Sequence, residues 1–308
     1  MAADHDLAQV ELELGSLFPE LRVAPIRVLE TGFESVVVET RDGAIFRVAR
    51  HARAAEGHAR EARILPVLGP WLPVAVPRPE WRVEPGPPCF PFGAMGYRRL
   101  AGEPLRPDWL AGRDSLRIAF DLAAFLVELH RFPLDEAEQL GLPRSDRNGR
   151  AFEALHDDVM PLLREVLPRD EYEIVSRWCD EFRADEALEH FAAVLRHGDL
   201  WFGNVLVDEA SGRVVGVLDW TNVAIGDPAA DLARQLHLGE SFAEAVLSAY
   251  EDRAGRVDRT LRHRIRRRWE LLEFAGIRTA VELGDPGELE ETIAKLRAGP
   301  ILARRSPA

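Results

Sequence analysis

Residues 197–219 read His197-Gly198-Asp199-Leu200-Trp201-Phe202-Gly203-Asn204 and then VLVDEASGRVVGVLD, which ends on Asp219. The runs at 204–208 and 213–219 are β-branched and flank Glu209-Ala210-Ser211-Gly212, a turn composition, so they are expected to pair as a hairpin. A turn centred on Ser211-Gly212 sets Asn204 opposite Asp219, at one end of that hairpin. An amide oxygen beside a carboxylate is a hard-ligand pair suited to Mg²⁺, whose shell is completed by water and substrate phosphates. Asp199 lies five residues before Asn204, in the loop that enters the hairpin. A carboxylate there can accept a hydroxyl proton and aim the oxygen for in-line attack, which makes the arrangement one of phosphoryl transfer. Each of these residues alone is an ordinary turn residue; the ordered set H-G-D-x-x-x-G-N followed by L-D-W is what carries information.

Just downstream, Asp227-Pro228 has the form of a helix cap with proline at the first helical position, so Asp227 is expected to be structural. Asp231, inside the same helix, is expected to brace the loop. Upstream, residues 22–50 contain short β-branched runs separated by Thr31-Gly32 and by Asp42-Gly43, a hairpin signal, and form an antiparallel meander. Arg47 falls in its last strand and Glu61 on a helix expected over 52–68, which together resemble a strand cation aimed at nucleotide phosphates by a helix carboxylate. In the loop from Glu30 to Ser35, Gly32 permits close backbone approach and Ser35 can donate to a phosphate. Prolines 70, 73, 77 and 79 break the next segment, and 94–100 reads as one more strand. Beyond it, helical patterns cover 113–131, with apolar residues on most faces, then 151–167, 171–190, 229–251, 257–283 and 286–298. Strand-like runs interrupt them only between 193 and 219. The expected fold is therefore α+β and bilobal: a small antiparallel sheet with one helix over 1–100, and a mainly helical lobe over 101–308, hinged near Leu100–Pro104.

Composition narrows the chemistry. A net charge of −13 disfavours nucleic acid as a partner. Lys295 is the single lysine, so no Walker A lysine exists and any phosphate-gripping cation is an arginine. Cys89 and Cys179 have neither C-x-x-C spacing nor neighbouring histidines and read as packing residues. No apolar run approaches the ~20 residues of a membrane helix, and the N-terminal MAADHDLAQVELEL is acidic where a signal peptide is basic. A cytoplasmic enzyme or binder is expected.

The motifs HGDLWFGN (197–204), VVGVLDW (214–220) and IGDPAADLA (225–233) resemble those of the aminoglycoside phosphotransferase family, whose members have a protein-kinase-like fold. IFRVARH (45–51), EARILPVL (61–68), FGAMGYRRLAGEPL (92–105) and LAAFLVELHRFP (122–133) are similar to the aminoglycoside 2''-phosphotransferase branch. The resemblance implies Asp199 as base, Asn204 and Asp219 as magnesium ligands, and Arg47 with Glu61 as the triphosphate-positioning pair. It implies that Tyr97-Arg98-Arg99-Leu100 is the interlobe hinge, with the backbones of Arg98 and Leu100 on the purine. Tyr97, at the depth of the purine pocket, favours GTP over ATP.

One departure is Arg47, where many members carry lysine; the charge is kept on a wider, planar fork. The family binds cationic aminoglycosides through acidic C-terminal helices, for which Glu240, Glu270 and Glu273 are candidates with Trp269 as a wall. The same region holds five arginines, Arg262, Arg264, Arg266, Arg267 and Arg268, and an Arg266–Glu270 pair could neutralise the pocket. The expected acceptor is an aminoglycoside hydroxyl. The alternatives are a same-fold kinase of a macrolide, a peptide antibiotic or a metabolite alcohol, and a nucleotide- or drug-binding module without transfer activity. A protein kinase is disfavoured by Leu218-Asp219-Trp220 in place of D-F-G and by the absence of a full glycine-rich loop.

Overall fold

The computed structural model describes residues 7–32, 34–110, 115–145, 148–255 and 258–303. The expected helix starts at Arg113 and Val257, and Phe33 in the first loop, lie outside them. The N-terminal lobe opens with α1 (Leu7–Leu17), continues through β1 (Arg27–Thr31), β2 (Ser35–Glu39), β3 (Ala44–Ala49) and α2 (Ala52–Leu68), and ends with β4 (Pro79–Val83) and β5 (Ala94–Arg98). The strands form one sheet in the order β1-β2-β3-β5-β4, with every pair antiparallel. The period-2 alternation of a strand divides β3 between two faces. Ala44, Phe46 and Val48 enter a core with Val10 and Leu14 of α1, while Ile45 packs with Met95 and Tyr97 on the face that also carries Arg47. The Asp42-Gly43 turn forms as expected, with Gly43 at φ 80°. Neither α1 nor β4 stood out in the sequence. β4 begins on Pro79 at the edge of the sheet, one of the few strand positions where a missing N–H costs nothing.

The second lobe starts with β6 (Glu103–Pro104), α3 (Pro107–Leu110), α4 (Ser115–His130) and α5 (Leu134–Gln139). It goes on through α6 (Asn148–Val166), α7 (Arg169–Arg183), β7 (Val194–Arg196), β8 (Val205–Val207), β9 (Val214–Val217) and β10 (Ala224–Gly226). Five helices close it: α8 (Ala229–Ala233), α9 (Glu240–Ala254), α10 (Leu261–Glu270), α11 (Leu272–Leu283) and α12 (Pro286–Ala298). α4 is the central helix, its Ile118, Leu122, Phe125, Leu126 and Leu129 all buried, although Leu116 and Phe120 reach solvent, so it is buried on fewer faces than expected. α6, α7, α11 and α12 surround a separate core built on Phe152, Trp178, Phe182 and Phe274. Cys89 and Cys179 are buried and not joined in a disulfide, in keeping with a packing role. Among the described residues no helix is long and apolar enough to cross a membrane.

Three expected helices are subdivided. The 171–190 pattern stops at Arg183, before a short 3-10 turn over Glu186–Leu188. The 229–251 pattern becomes α8, a 3-10 turn over Arg234–Leu238 and α9, because Gly239 takes φ 96° between them. The 257–283 pattern breaks at Leu271. The β8–β9 hairpin also differs from its expected register: Val205 faces Val217 and Leu206 faces Gly216, with an irregularity before Val207 meets Val214. The Asn204 carbonyl accepts from Leu218 N at 2.8 Å, so Leu218 rather than Asp219 stands opposite Asn204. The turn departs from the simple two-residue form because it closes through Gly212 N on the Asp208 carbonyl, with Gly212 at φ 67°.

Candidate active site

A cleft of about 410 Å³ opens between the sheet and the β8–β9 hairpin, lined among others by Ile45, Arg47, Tyr97, Leu100, Asn204 and Asp219. Glu61 lies on the inner face of α2, fully buried, and accepts both 2.7 and 2.9 Å hydrogen bonds from Arg47 Nη1. The other terminal nitrogen, Nη2, reaches Asp219 Oδ1 at 3.1 Å, so one guanidinium joins α2 to the hairpin. Burial pushes the Glu61 carboxyl up and the Arg47 charge opposes it. Arg47, although desolvated, is held protonated more firmly than a free guanidinium because it sits between Glu61 and Asp219.

Asp219 has φ 57°, the positive value that the described non-glycine residues show only here, and strain of this kind collects at functional sites. Burial alone would raise its pKa; the Arg47 charge and a hydrogen bond from Thr221 Oγ1 bring it down to about 2, so it is ionised at neutral pH. Asn204 Nδ2 donates to the Asp199 carbonyl at 2.9 Å, which fixes the amide and leaves its oxygen as the free ligand atom. An amide oxygen and an ionised carboxylate on one cleft wall fit a hard divalent cation such as Mg²⁺.

The loop from His197 to Leu200 is held by one face of the α8 segment. Asp231, fully buried, accepts from the backbones of His197 and Gly198, both at 2.8 Å, which is the bracing expected of it. Gln235 donates to the Leu200 carbonyl at 2.8 Å. Arg234 Nη2 sits 3.0 Å from Asp199 Oδ1, with both side chains about a quarter exposed (27% and 28%). Burial raises the Asp199 pKa, and the Arg234 charge works against that rise. Behind the brace, His130 of α4 bridges Asp231 Oδ2 at 3.3 Å and the Tyr250 hydroxyl at 2.9 Å. Arg234, Gln235, His130 and Thr221 escaped the sequence reading; the first two stand at i+3 and i+4 from Asp231, a spacing that could have found them.

Other expectations are met in part or need correction. Ser35 lines the cleft, as expected, and its hydroxyl also pairs with His58 Nε2 at 2.9 Å, which links its loop to α2. The Arg98 side chain points to Asp42 and Glu80 and covers the Trp81 ring at 4.7 Å, which leaves its backbone as the part expected to meet the purine; the cleft wall passes through Tyr97, Arg99 and Leu100. Glu270 is 4% exposed and ties Trp178 Nε1 at 3.0 Å to Arg267 Nη1 at 2.6 Å, so it belongs to the core and not to a substrate pocket. Its partner on α10 is therefore Arg267, not the expected Arg266. Glu240 and Trp269 do share a cavity of about 700 Å³, with Glu244, Arg262 and Arg266 on its walls, while Glu273 lies outside that wall. Of the α10 arginines, Arg264 turns inward onto Asp227 at 3.1 Å, which makes Asp227 structural as expected. Asp227 also caps α8 through Ala229 N at 3.0 Å.

A bilobal kinase-like fold with this cleft defines a phosphoryl-transfer class of protein. Residues 25–267 match the phosphotransferase enzyme family, and the chain belongs to it. It is 30% identical over 246 residues to viomycin phosphotransferase of Streptomyces vinaceus, across 76% of this chain and 79% of that one. Among solved structures it is similar to the GDP and kanamycin complex of an APH(2'') enzyme, with a TM-score of 0.85 at 22% identity over 94% of this chain and 97% of that chain. It is also similar to macrolide 2'-phosphotransferase type I, with a TM-score of 0.75 at 28% identity over 96% and 98%. The resemblance read from the motifs is thereby borne out at the level of family and fold.

Proposed function

We propose that the chain moves the γ-phosphoryl group of GTP or ATP to a hydroxyl of a small molecule, with lobe 1–100 holding the nucleotide and lobe 101–308 the acceptor. The observation that carries this reading is the Arg47 bridge. One guanidinium contacts both Glu61 and Asp219, and Asn204 on the same cleft is bonded to the Asp199 backbone, which supports reading Arg47 as the phosphate cation, Asn204 and Asp219 as the ligand pair and Asp199 as the base. Arg47 positions the phosphate chain. Asp199 receives the acceptor hydroxyl on its carboxylate, which Arg234 contacts through Oδ1, and takes its proton as the new oxygen–phosphorus bond forms. Magnesium on Asn204 and Asp219 would neutralise charge on the phosphates. Tyr97 in the cleft lining supports GTP as the preferred donor, and a nucleoside triphosphate donor implies the cytoplasm as the place of reaction. The ionisable Asp199 in place argues for transfer over mere binding.

For the acceptor, an aminoglycoside hydroxyl is supported by the shared fold of the kanamycin-bound relative. A second reading, a macrolide, a peptide antibiotic or a metabolite alcohol, is favoured by the charges around the larger cavity. Glu240 and Glu244 there are matched by Arg262 and Arg266, and Arg262 is already paired with Glu244 at 2.6 Å, so a polycation gains little. The test is turnover by the purified protein with Mg²⁺, comparing GTP with ATP, alone and with kanamycin, viomycin or a macrolide. Stimulation by one compound, with its phosphorylated product seen by mass, fixes donor and acceptor together. A protein that binds neither nucleotide ends the kinase reading.

A further inference from the structure

The proposed mechanism gives the transferring phosphoryl group one protein cation, Arg47, and that residue is already engaged by two carboxylates. Among the described residues, Arg234 is a second arginine near this chemistry, in contact with Asp199. α8 and the turn after it present three side chains at i, i+3 and i+4 to the loop that carries the base. Asp231 holds the backbone of His197 and Gly198, and Gln235 holds the backbone of Leu200. Arg234 stands between them and meets a side chain instead, the Asp199 carboxylate, at 3.0 Å. The contact is anchored from below by a helix fixed at two points, so the guanidinium is not a loose surface group. Yet about a quarter of its side chain remains exposed, as does about a quarter of Asp199.

A guanidinium offers five N–H donors in a rigid fork, and the Asp199 contact uses one nitrogen. A hydroxyl hydrogen-bonded to Asp199 lies within ~3 Å of the carboxylate, and the phosphorus it attacks lies ~3–3.5 Å beyond. The remaining Arg234 donors are therefore within reach of the equatorial phosphoryl oxygens, where charge is spread in the transition state. We propose, resting on the kinase reading above, that Arg234 is a second catalytic cation: it bridges the Asp199 carboxylate and the phosphoryl group in flight. In that step the acceptor oxygen bonds to the γ-phosphorus and its proton passes to Asp199. The bond from the γ-phosphorus to the bridging oxygen breaks, and its electron pair leaves with the nucleoside diphosphate. Arg234 is unchanged.

The test is equilibrium binding of Mg²⁺·GDP, with and without aluminium fluoride as a planar mimic of the transferring group, to wild type, Arg234→Gln and Arg234→Lys. Wild type is expected to bind GDP about tenfold or more tightly with the fluoride, a gain of the kind shown by transition-state analogues. Arg234→Gln is expected to bind GDP alone as wild type does but to lose that enhancement, and Arg234→Lys to regain part of it. Wherever turnover is measurable, kcat is expected to fall ~10²-fold in Arg234→Gln, the scale of one lost oxyanion donor, with nucleotide KM unchanged. Full fluoride enhancement in Arg234→Gln overturns the proposal, as does an equal loss of GDP affinity and melting temperature, which marks a purely structural brace. A wild type that binds GDP without any fluoride enhancement overturns it too and leaves the kinase reading standing. A wild type that binds no nucleotide defeats both, and does so before any variant is made.

Discussion

The two walls of the site handle charge differently. On the nucleotide wall Arg47, 7% exposed, and Glu61, fully buried, neutralise one another out of water, and Asp219 joins them from the other lobe with about a third of its side chain exposed. On the acceptor wall Asp199 and Arg234 stay partly solvated, and the cavity beside Glu240 and Trp269 has acids and bases interspersed on its surface. A buried pair is costly to break because the survivor is stranded in a low dielectric, whereas exposed pairs contribute ~0–1 kcal/mol and are easily exchanged. Under the proposed function the first wall is thus built for one unvarying ligand, a triphosphate. The second can change its acceptor without endangering the fold.

The sharpest break comes where the walls meet. Asp199→Asn keeps the shape of the loop and removes the acceptor of the hydroxyl proton. Turnover is expected to fall ~10²–10⁴-fold, the usual range for a general base, with nucleotide affinity and melting temperature preserved. Steady-state kinetics beside a thermal melt check it; turnover near wild type would remove Asp199 from the mechanism.

How much of this was legible depends on whether the signal was local. The hairpin, the 52–68 helix and the Asp227 cap have their cues within a few residues, and the structure reproduces them. The hairpin register slipped by one because an irregularity in β8–β9 is invisible in a β-branched run. Arg47 and Glu61 were found through spacing, but their link to Asp219, 172 positions away, is a property of lobe packing alone. The acceptor wall was least legible. Five arginines within seven residues of α10 say nothing of which face turns inward, and it is Arg264 and Arg267 that find buried acids while Arg262 and Arg266 line the cavity. Glu270 was misread for the same reason.

The nucleotide wall also predicts an acid sensitivity. Burial, with the Arg47 charge adding to it, lowers the His58 pKa from its ordinary 6.5 to about 3, so the imidazole stays neutral in the folded protein. The unfolded chain takes up a proton near pH 6.5 and the folded one does not. The stability linked to His58 is therefore complete above that pH and is lost as pH falls toward 3, at about 1.4 kcal/mol per unit. At pH 5 the loss is roughly 2 kcal/mol on the same scale. Urea unfolding at pH 7.5 and pH 5 is expected to show it in wild type and to show less of it in His58→Gln. Equal pH slopes in the two proteins would mean that His58 is not the group responsible.

The smallest effects separate the two glutamates that the sequence made look alike. Glu270→Gln weakens the acceptor shared by the Trp178 indole and Arg267 inside the helical core. Its cost is expected in stability, ~1–3 kcal/mol, the price of leaving a buried charged donor poorly satisfied, with a shift in tryptophan emission and no change in acceptor KM. Glu240→Gln touches the cavity wall and no core partner, so stability should move by less than ~0.5 kcal/mol. Its effect belongs in acceptor KM, and its size reports the acceptor's charge. A polycation held by Glu240 would lose affinity several-fold, while an acceptor of low charge would hardly notice the loss of one carboxylate from a wall that also carries Arg262 and Arg266. If instead Glu270→Gln raised acceptor KM and Glu240→Gln melted the protein, the division of the molecule into a rigid and an adaptable wall would be wrong at its most exposed point.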